Sequence, residues 1–237
     1  MKHATALLGL GPLALVIGGC LIYLLLVQNV ASTASTALTG SSLALPSANM
    51  KLPDVPAAKK QYVNTAYQAA EYYAQQDHLP SPIAAYFPLY FVRQIYEESN
   101  FNLDATPNSA GAVGIAQFKP STAKGIHVLD PRTGKMVVVD PQDPVLALYG
   151  AAKMMADSFM SHLNQKSLND NQLLAYFAAL ANYNCGCSIA DYGTNGGQSL
   201  PSETRHYIYD ILYPVFSQDG QQLVQNFVGL NACRACF

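Results

Sequence analysis

The sequence contains no tryptophan and few charged residues. Among its 237 residues, 13 are Lys or Arg and 15 are Asp or Glu, so the formal net charge is −2. A nucleic-acid-binding protein needs a basic patch, and no stretch of this chain supplies one, which sets that class aside. Half of the residues are hydrophobic, which is enough for a folded core and restricts disorder to the ends of the chain.

Metal-ligating and phosphate-binding patterns are also missing. The five histidines are scattered without the spacing of a metal site: His3, His78, His127, His162 and His206. The glycines near Gly111 lack the Lys-Ser or Lys-Thr pair that follows a phosphate-binding loop. We therefore expect neither a catalytic metal nor another cofactor.

Cysteine is sparse, with five residues. Cys20 lies in the N-terminal apolar segment, and the others form Cys185-x-Cys187 and Cys233-x-x-Cys236. In an exported domain four cysteines favour two disulfides, and a bridge within Cys185-x-Cys187 would be strained, so we expect cross-pairs between the two clusters. A four-cysteine zinc site is the alternative, although Cys-x-Cys is a less usual spacing for zinc.

One long apolar run stands at the N-terminus. Ala4–Val27 has no charged residue and would span about 36 Å as a helix, which is sufficient for a bilayer. Lys2 precedes it and the next positive charge is Lys51, which places the N-terminus in the cytoplasm and the rest outside. The pattern predicts an uncleaved single-pass anchor over residues 1–27 of a bacterial cell-membrane protein.

Two alternatives to the anchor stay open. The apolar run is long for the core of a signal peptide, but cleavage would remove it from the mature protein. Ile17-Gly18-Gly19-Cys20 resembles a lipoprotein processing site, although residues 21–27 remain apolar where a mature lipoprotein turns polar.

The rest of the chain divides into segments of different composition. Residues 28–58 are rich in Ala, Ser, Thr and Pro and predict a linker, residues 59–215 predict a folded domain, and residues 216–237 form a C-terminal tail. Helical periodicity predicts helices that begin near Lys59, after the cap Asp143, after Asn169 and after Ser202. Residues 128–139 predict a hairpin around a Pro-x-x-Gly turn, either as a cleft wall or as a plain surface hairpin. The fold class is therefore mainly α with a small β element.

The stretch Phe91 to Ala123 carries the clearest chemical signal. Phe87, Phe91, Ile95 and Glu98 fall on one helical stripe, whereas Arg93 and Glu97 form a solvated pair on another side. Apolar neighbours disfavour an ionised carboxyl, so we expect the pKa of Glu98 to be raised. A carboxylic acid held protonated near neutral pH can donate a proton to a leaving group.

A loop of small residues follows this helix. Residues 107–114 contain Pro, Asn, Ser, Ala and Gly, which let a backbone approach a ligand closely. Gln117 then offers an amide that both donates and accepts hydrogen bonds.

Several ordered motifs resemble a known family. They are Glu98-Ser99-x-Phe101, Gly111-Ala112-x-Gly114-Ile115-x-Gln117, Pro120-x-Thr122-Ala123, Ala181-Asn182-Tyr183-Asn184-Cys185-Gly186 and Glu203-Thr204-Arg205-His206-Tyr207-Ile208. Together they resemble the soluble-lytic-transglycosylase (SLT) catalytic domain of lytic transglycosylases, over roughly residues 80–215. The chain departs from the family at Ile115-Ala116, where Leu-Met is usual, and by an inserted Asn182.

The resemblance implies a lysozyme-like fold and a peptidoglycan substrate, cleaved between N-acetylmuramic acid and N-acetylglucosamine with closure of a 1,6-anhydro ring. Glu98 would act as acid and then base. Substrate contacts or cleft positions are implied for Ser99, Ser109, Gln117, Tyr183, Asn184, Glu203 and Tyr207. Ser99 would also support Glu98 from behind, and Tyr207 would pack near the site. Each residue could instead have a purely structural role. Gln117 would then stabilise the loop, Asn184 would end a helix, Tyr207 would belong to the core and Glu98 would be a buried structural acid.

The expected partners are peptidoglycan glycan strands, the membrane and an envelope-spanning apparatus for secretion or conjugation. Two other functions compete with a transglycosylase. A hydrolytic muramidase, like goose-type lysozymes, would use water instead of ring closure, and an inactive wall-binding scaffold would use neither.

Overall fold

The computed structural model describes residues 52–107, 110–165, 171–188, 196–216 and 218–229. Helices dominate, as predicted, and there is one small sheet. The elements are α1 (Lys60–Gln76), α2 (Ile83–Ser99), α3 (Pro120–Ala123), β1 (His127–Asp130), β2 (Lys135–Val138), α4 (Pro144–Leu163), α5 (Gln172–Cys185), α6 (Ser202–Leu212) and α7 (Gln218–Val228). Short 3-10 turns occur at Ala57–Lys59, Gly196–Ser199 and Tyr213–Val215.

The predicted anchor over residues 1–27 and most of the predicted linker lie outside the described residues. Among the helices that the structure does describe, none combines the length and the apolar character that a bilayer span requires.

Helix α2 carries Glu98 and packs against α1 and α6. Phe87, Phe91 and Ile95 are fully buried, which confirms the apolar stripe, because positions at this spacing share one face of a helix. Glu98 therefore continues this buried face of α2, in the last turn of the helix.

Left-handed residues end α2 immediately after this turn. Asn100 has a φ of 51° and its N–H donates to the carbonyl oxygen of Tyr96. Phe101 is left-handed as well, with a φ of 53°. Non-glycine residues rarely adopt this conformation, and the two together turn the chain away from the helix axis into the loop that faces Glu98.

The aromatic residues of the core are tyrosine and phenylalanine, since tryptophan is absent. The ring of Tyr176 lies 5.3 Å from that of Tyr90, 6.2 Å from Phe87 and 6.3 Å from Phe159 between centroids. Tyr90 also meets Phe216 edge-on at 5.7 Å. Such pairs contribute about 0.5–1.5 kcal/mol each beyond the area they bury. The cluster joins α2, α4 and α5 to the segment that follows α6.

The predicted hairpin is present. Strands β1 and β2 are antiparallel, with His127 opposite Val138 and Asp130 opposite Lys135. Gly134 supplies the left-handed residue of the connecting turn, with a φ of 67°. Strand β1 packs against α4, so β2 forms the outer edge.

Helix α4 begins at the predicted cap. Asp143 Oδ1 accepts hydrogen bonds from the backbone N–H groups of Val145 at 3.0 Å and Leu146 at 3.1 Å. Its Oδ2 accepts from Arg132 Nη2 at 2.8 Å, and Arg132 Nε also donates to Asp130 at 2.8 Å. One arginine therefore ties the hairpin to the start of the helix.

The remaining helices complete the core. Helix α5 begins slightly later than predicted, because the side chain of Asn171 accepts from the free N–H groups of its first turn. Helix α6 begins at Ser202, as predicted. Helix α7 lies within the segment that the sequence analysis assigns to a tail, and its Val224 and Val228 are fully buried.

The Asp143→Ala variant should lower the free energy of unfolding by about 1–2 kcal/mol, because it removes the helix cap. Denaturant titration measures this change. The matched control is Asp157→Ala, which breaks an exposed pair with Lys153 four residues away and should cost about 0.3–0.5 kcal/mol. Equal losses in the two variants would contradict the capping role.

Candidate active site

A cavity of about 610 Å³ opens beside the end of α2. Its polar lining residues are Glu98, Gln117, Lys119, Thr122, Asn182, Tyr183, Asn184, Glu203 and Thr204. None of the described lining residues belongs to β1 or β2. The hairpin is therefore not a wall of this cavity, whereas His127 of β1 lines the adjoining cavity described below.

Glu98 and Tyr207 are joined across 109 residues of sequence. The Tyr207 hydroxyl donates a hydrogen bond to Glu98 Oε1 at 2.5 Å. The sequence predicts only that Tyr207 packs near the site, whereas the structure places its hydroxyl on the acid itself. Helix α6 thereby fixes one oxygen of a carboxyl that α2 supplies.

The environment of Glu98 favours the protonated form. Burial raises the pKa of Glu98 to about 7 from an ordinary 4.5, while the hydrogen bond from Tyr207 lowers it and the neighbouring Glu97 raises it. The direction agrees with the sequence prediction. A carboxyl with this pKa is populated in both protonation states near neutral pH, which suits a group that donates and then accepts a proton.

The predicted pair of Arg93 and Glu97 is present, but it is not a fully solvated one. Arg93 Nη2 lies 3.1 Å from Glu97 Oε1, and the two side chains are only 17% and 25% exposed. Arg93 Nη2 also donates to the carbonyl oxygen of Asp210 at 2.8 Å, because α6 packs over this side of α2. Burial raises the pKa of Glu97 as well, and Arg93 opposes that rise.

Gln117 lies at the end of a tight loop that faces Glu98. Val113 and Phe118 form a two-way backbone bridge, and Gln117 between them is left-handed with a φ of 49°. Its Nε2 donates to the carbonyl oxygen of Gly114 at 2.9 Å. Gly114 has a φ of 73° and lies so close to Pro141 that any side chain would overlap the Pro141 carbonyl. The backbone strain at Gln117 is of the kind that clusters at functional sites.

Ser99 and Tyr183 hold this loop from two sides. Ser99 Oγ donates to the carbonyl oxygen of Ile115 at 2.6 Å, and the Tyr183 hydroxyl donates to that of Ala116 at 2.7 Å. Both residues therefore fix the backbone directly before Gln117. Ser99 bonds to the loop and not to the Glu98 carboxyl, which differs from its expected support of the acid.

Tyr183 also contributes to the electrostatics of the site. Burial and then the Glu98 carboxylate raise the pKa of Tyr183 well above its ordinary value. Tyr183 is therefore a neutral hydrogen-bond donor throughout the physiological range, close to the acid.

Asn184 and Glu203 also line the cavity. Asn184 Oδ1 accepts from Thr204 Oγ1 at 2.7 Å, which links α5 to α6. Glu203 is exposed on the cavity wall. Within the described part of the chain no ion pair joins Glu203 to Arg205, and Arg205 Nη1 donates instead to the carbonyl oxygen of Val228 at 3.2 Å.

The predicted cysteine pairing is wrong for the first cluster. Cys185 and Cys187 are bonded to each other, with their Cα atoms 5.1 Å apart, a normal separation for a disulfide. The pairing is possible because Gly186 is left-handed, with a φ of 67°, and reverses the chain at the end of α5. Cys233 and Cys236 lie outside the described residues, as does Ser109.

No metal centre is found in the described segments, since none of them brings three or more His, Cys, Asp or Glu side chains together. The cavity lining contains two carboxylates, one cation, amides and hydroxyls. That set suits neutral sugars with amide and hydroxyl groups better than it suits a metal.

Sequence reasoning missed Gln94 and Thr204. Gln94 is fully buried, one turn before Glu98, on the face that the apolar stripe defines. A polar residue within an apolar stripe that ends in a candidate acid could have been recognised from the sequence. Thr204 offers no such signal, because its contact with Asn184 depends on how α5 and α6 meet.

A second cavity, of about 570 Å³, adjoins the first. The two share Thr122, Met154 and Asn182 as lining residues. The second also contains Lys153, Asp157 and the ring of His127. The two cavities are therefore adjacent.

The raised pKa of Glu98 predicts a pH-dependent stability. A group with a higher pKa in the folded state stabilises the fold below its unfolded pKa, and this stabilisation disappears as pH rises through the folded pKa. Glu98→Gln stays neutral, so wild-type stability relative to Glu98→Gln should fall by on the order of 2 kcal/mol between about pH 4.5 and pH 8. Denaturant titration at both pH values measures the difference. For Glu71→Gln, at an exposed acid of α1, the difference from wild type should hardly change, and the same flat result for Glu98→Gln would contradict the assignment.

Comparison with known proteins agrees with the motifs. Residues 87–198 match the family model of the Transglycosylase SLT domain. The match contains Glu98, Gln117 and Tyr183, whereas Glu203 and Tyr207 follow it in the sequence. No curated protein and no solved structure matches the chain. Residues 87–198 are therefore similar to a transglycosylase SLT domain, and this similarity supports a function of the lytic transglycosylase type, directed at peptidoglycan.

Proposed function

We propose that the protein cleaves the β-1,4 bond between N-acetylmuramic acid and N-acetylglucosamine in peptidoglycan, with formation of 1,6-anhydro-N-acetylmuramic acid. The observation that carries this proposal is Glu98, a carboxyl with a pKa of about 7 that lines a sugar-sized cavity and is held by Tyr207. Such a carboxyl can serve in turn as acid and base without a second residue in that role.

The first step is proton donation by Glu98. Because Oε1 accepts the hydrogen bond from Tyr207, the acidic proton belongs on Oε2. Glu98 transfers that proton to the bridging oxygen as the bond to C1 of the muramic acid breaks, and the departing glucosamine keeps a neutral C4 hydroxyl. Positive charge builds on the sugar ring, and the substrate's own acetamido oxygen stabilises C1.

The second step returns the proton. Glu98 is now a carboxylate, which the Tyr207 hydroxyl stabilises as a donor. It accepts the proton of the C6 hydroxyl while the C6 oxygen bonds to C1 and displaces the acetamido oxygen. The anhydro ring closes, Glu98 is protonated again and no water is consumed.

The cavity walls would orient the sugars. Gln117 on the strained loop and Asn184 on α5 present amides to the cavity, and amides match the acetamido and hydroxyl groups of this substrate. Ser99 and Tyr183 act indirectly, by fixing the backbone that precedes Gln117. The adjoining cavity supports a polymeric substrate, since a glycan strand exceeds one cavity in length.

One observation favours a second candidate function. Glu203 is a second carboxylate on the wall of the same cavity. Inverting glycosidases use a second carboxylate to activate water on the far side of the sugar ring. With Glu203 in that role the protein would be a hydrolytic muramidase.

Mass spectrometry of the muropeptides released from purified cell wall separates the two. Ring closure gives anhydro products, and hydrolysis gives products heavier by one water. We expect anhydro products from the wild type and a loss of about 10²–10⁴-fold in rate for Glu98→Gln. Glu203→Gln should still form anhydro products, and Glu71→Gln should match the wild type.

Reducing-end products that disappear in Glu203→Gln would establish the muramidase. If Glu98→Gln released products at the wild-type rate, Glu98 would not be the acid. A folded wild-type protein that binds wall without releasing any product would indicate a scaffold.

We also propose that residues 1–27 tether the protein to the bacterial cell membrane with the SLT domain on the wall side. The support is the charge-free apolar run Ala4–Val27. The full-length protein should stay in the membrane fraction after an alkaline wash and be cleaved by external protease in spheroplasts, and deletion of residues 4–27 should release it. Retention after that deletion would contradict the tether. If Cys20→Ser alone released the protein, a lipid anchor would replace the helix.

Local wall opening for an envelope-spanning secretion or conjugation apparatus is the role that fits a tethered enzyme of this kind. Replacing the chromosomal gene with the Glu98→Gln form should then reduce transfer through that apparatus. Normal function of every such apparatus in the mutant strain would contradict this role.

A further inference from the structure

Gln94 is the most deeply buried polar side chain near the acid. It is fully buried and precedes Glu98 by four residues on α2, so the two side chains lie one above the other on the same helix face. Neither Gln94 Nε2 nor Gln94 Oε1 has an aligned hydrogen-bond partner among the described residues. A buried amide left without a hydrogen-bond partner destabilises the fold, so its presence beside the acid calls for a reason.

The Gln94 side chain interacts with the Tyr207 hydroxyl. Burial, the Glu98 carboxylate and Tyr183 raise the pKa of Tyr207, and the interaction with the Gln94 side chain opposes that rise. An amide N–H that donates to the phenol oxygen would have this effect, since donation stabilises the phenolate. Small rotations of the two side chains would align this contact.

The proton count of Tyr207 determines which amide atom faces it. A phenol has one proton, and Tyr207 gives it to Glu98 Oε1. The phenol oxygen can then only accept, so Gln94 must present Nε2. If Gln94 presented Oε1, the amide would compete with Glu98 for the same proton.

We propose that Gln94 is a positioning residue for the acid: its Nε2 donates to the Tyr207 oxygen and thereby directs the Tyr207 proton to Glu98 Oε1. This inference rests on the proposed role of Glu98. The chain of donors runs from amide to phenol to carboxyl, and it leaves Oε2 as the site for the transferable proton. Gln94 touches no substrate and acts only through Tyr207.

The chain has consequences for both halves of the reaction. Before proton transfer it prevents Tyr207 from accepting the acidic proton, since the Tyr207 hydroxyl would then have no acceptor for its own. After the transfer it makes Tyr207 a stronger donor and so stabilises the carboxylate. Removing the amide N–H should therefore raise the pKa of Glu98 and slow the chemical step.

The first test is Gln94→Met, which keeps the shape of the side chain and removes the amide. We expect kcat to fall about 3- to 10-fold with KM unchanged, because one hydrogen bond is lost away from the substrate. The high-pH limb of the rate profile, which requires protonated Glu98, should move up by about 0.5 to 1 pH unit. Gln75→Met, at an exposed glutamine on α1, is the matched control and should leave the profile unchanged.

A double variant separates positioning from general packing. If Gln94 acts through Tyr207, then Gln94→Met combined with Tyr207→Phe should behave like Tyr207→Phe alone. Effects that multiply in the double variant, or a high-pH limb that stays at its wild-type position in Gln94→Met, would overturn the proposal. Gln94→Glu provides a second variant if Gln94→Met fails to fold. The carboxylate of this variant would draw the Tyr207 proton away from Glu98. The high-pH limb of its rate profile should therefore move further than the limb of Gln94→Met.

Titration of the Glu98 carboxyl by carbon-13 NMR gives a readout that needs no turnover. The Glu98 pKa should be higher in Gln94→Met than in the full-length wild-type protein and unchanged in Gln75→Met. An unshifted Glu98 would refute the role of Gln94 even in an active enzyme. A shifted Glu98 in a protein that releases no products would uphold it and refute the proposed function instead.

Discussion

The hydrogen bond from Tyr207 to Glu98 is the contact on which the candidate site depends. Burial raises the pKa of the Glu98 carboxyl and so favours its protonated form. Tyr207 opposes that effect and holds the pKa at about 7. The bond also requires α6 to lie over α2, so the pKa of Glu98 depends on how these two helices pack.

The second constraint is the loop around Gln117. Its geometry is strained at Gln117 and close-packed at Gly114, and a strained segment persists only when its surroundings fix it. Ser99 and Tyr183 supply that fixation through two successive backbone carbonyls. A motif residue that is expected to contact substrate can thus support a neighbouring loop instead. A mutation of Ser99 or Tyr183 would then act on the position of Gln117.

Much of the fold could be read from the sequence because it rests on local rules. The apolar stripe of α2, the hairpin around Gly134 and the cap at Asp143 each depend on spacing or on one side chain and its own backbone. Prediction failed at two places, one local and one where distant helices meet. The Cys185–Cys187 bridge depends on a left-handed Gly186, and the partial burial of Arg93 and Glu97 depends on α6.

The sequence by itself singled out Glu98 as the candidate acid, since its apolar stripe is followed by the motif around Gln117. It also determined where the helices and the hairpin lie, because periodicity and caps act within a few residues. Only the tertiary structure decided what surrounds the acid: a tyrosine on one oxygen and a glutamine buried one turn away. The physical reason is that the pKa and the orientation of Glu98 are set by desolvation and hydrogen bonds from side chains remote in sequence, and these exist only once the helices have packed.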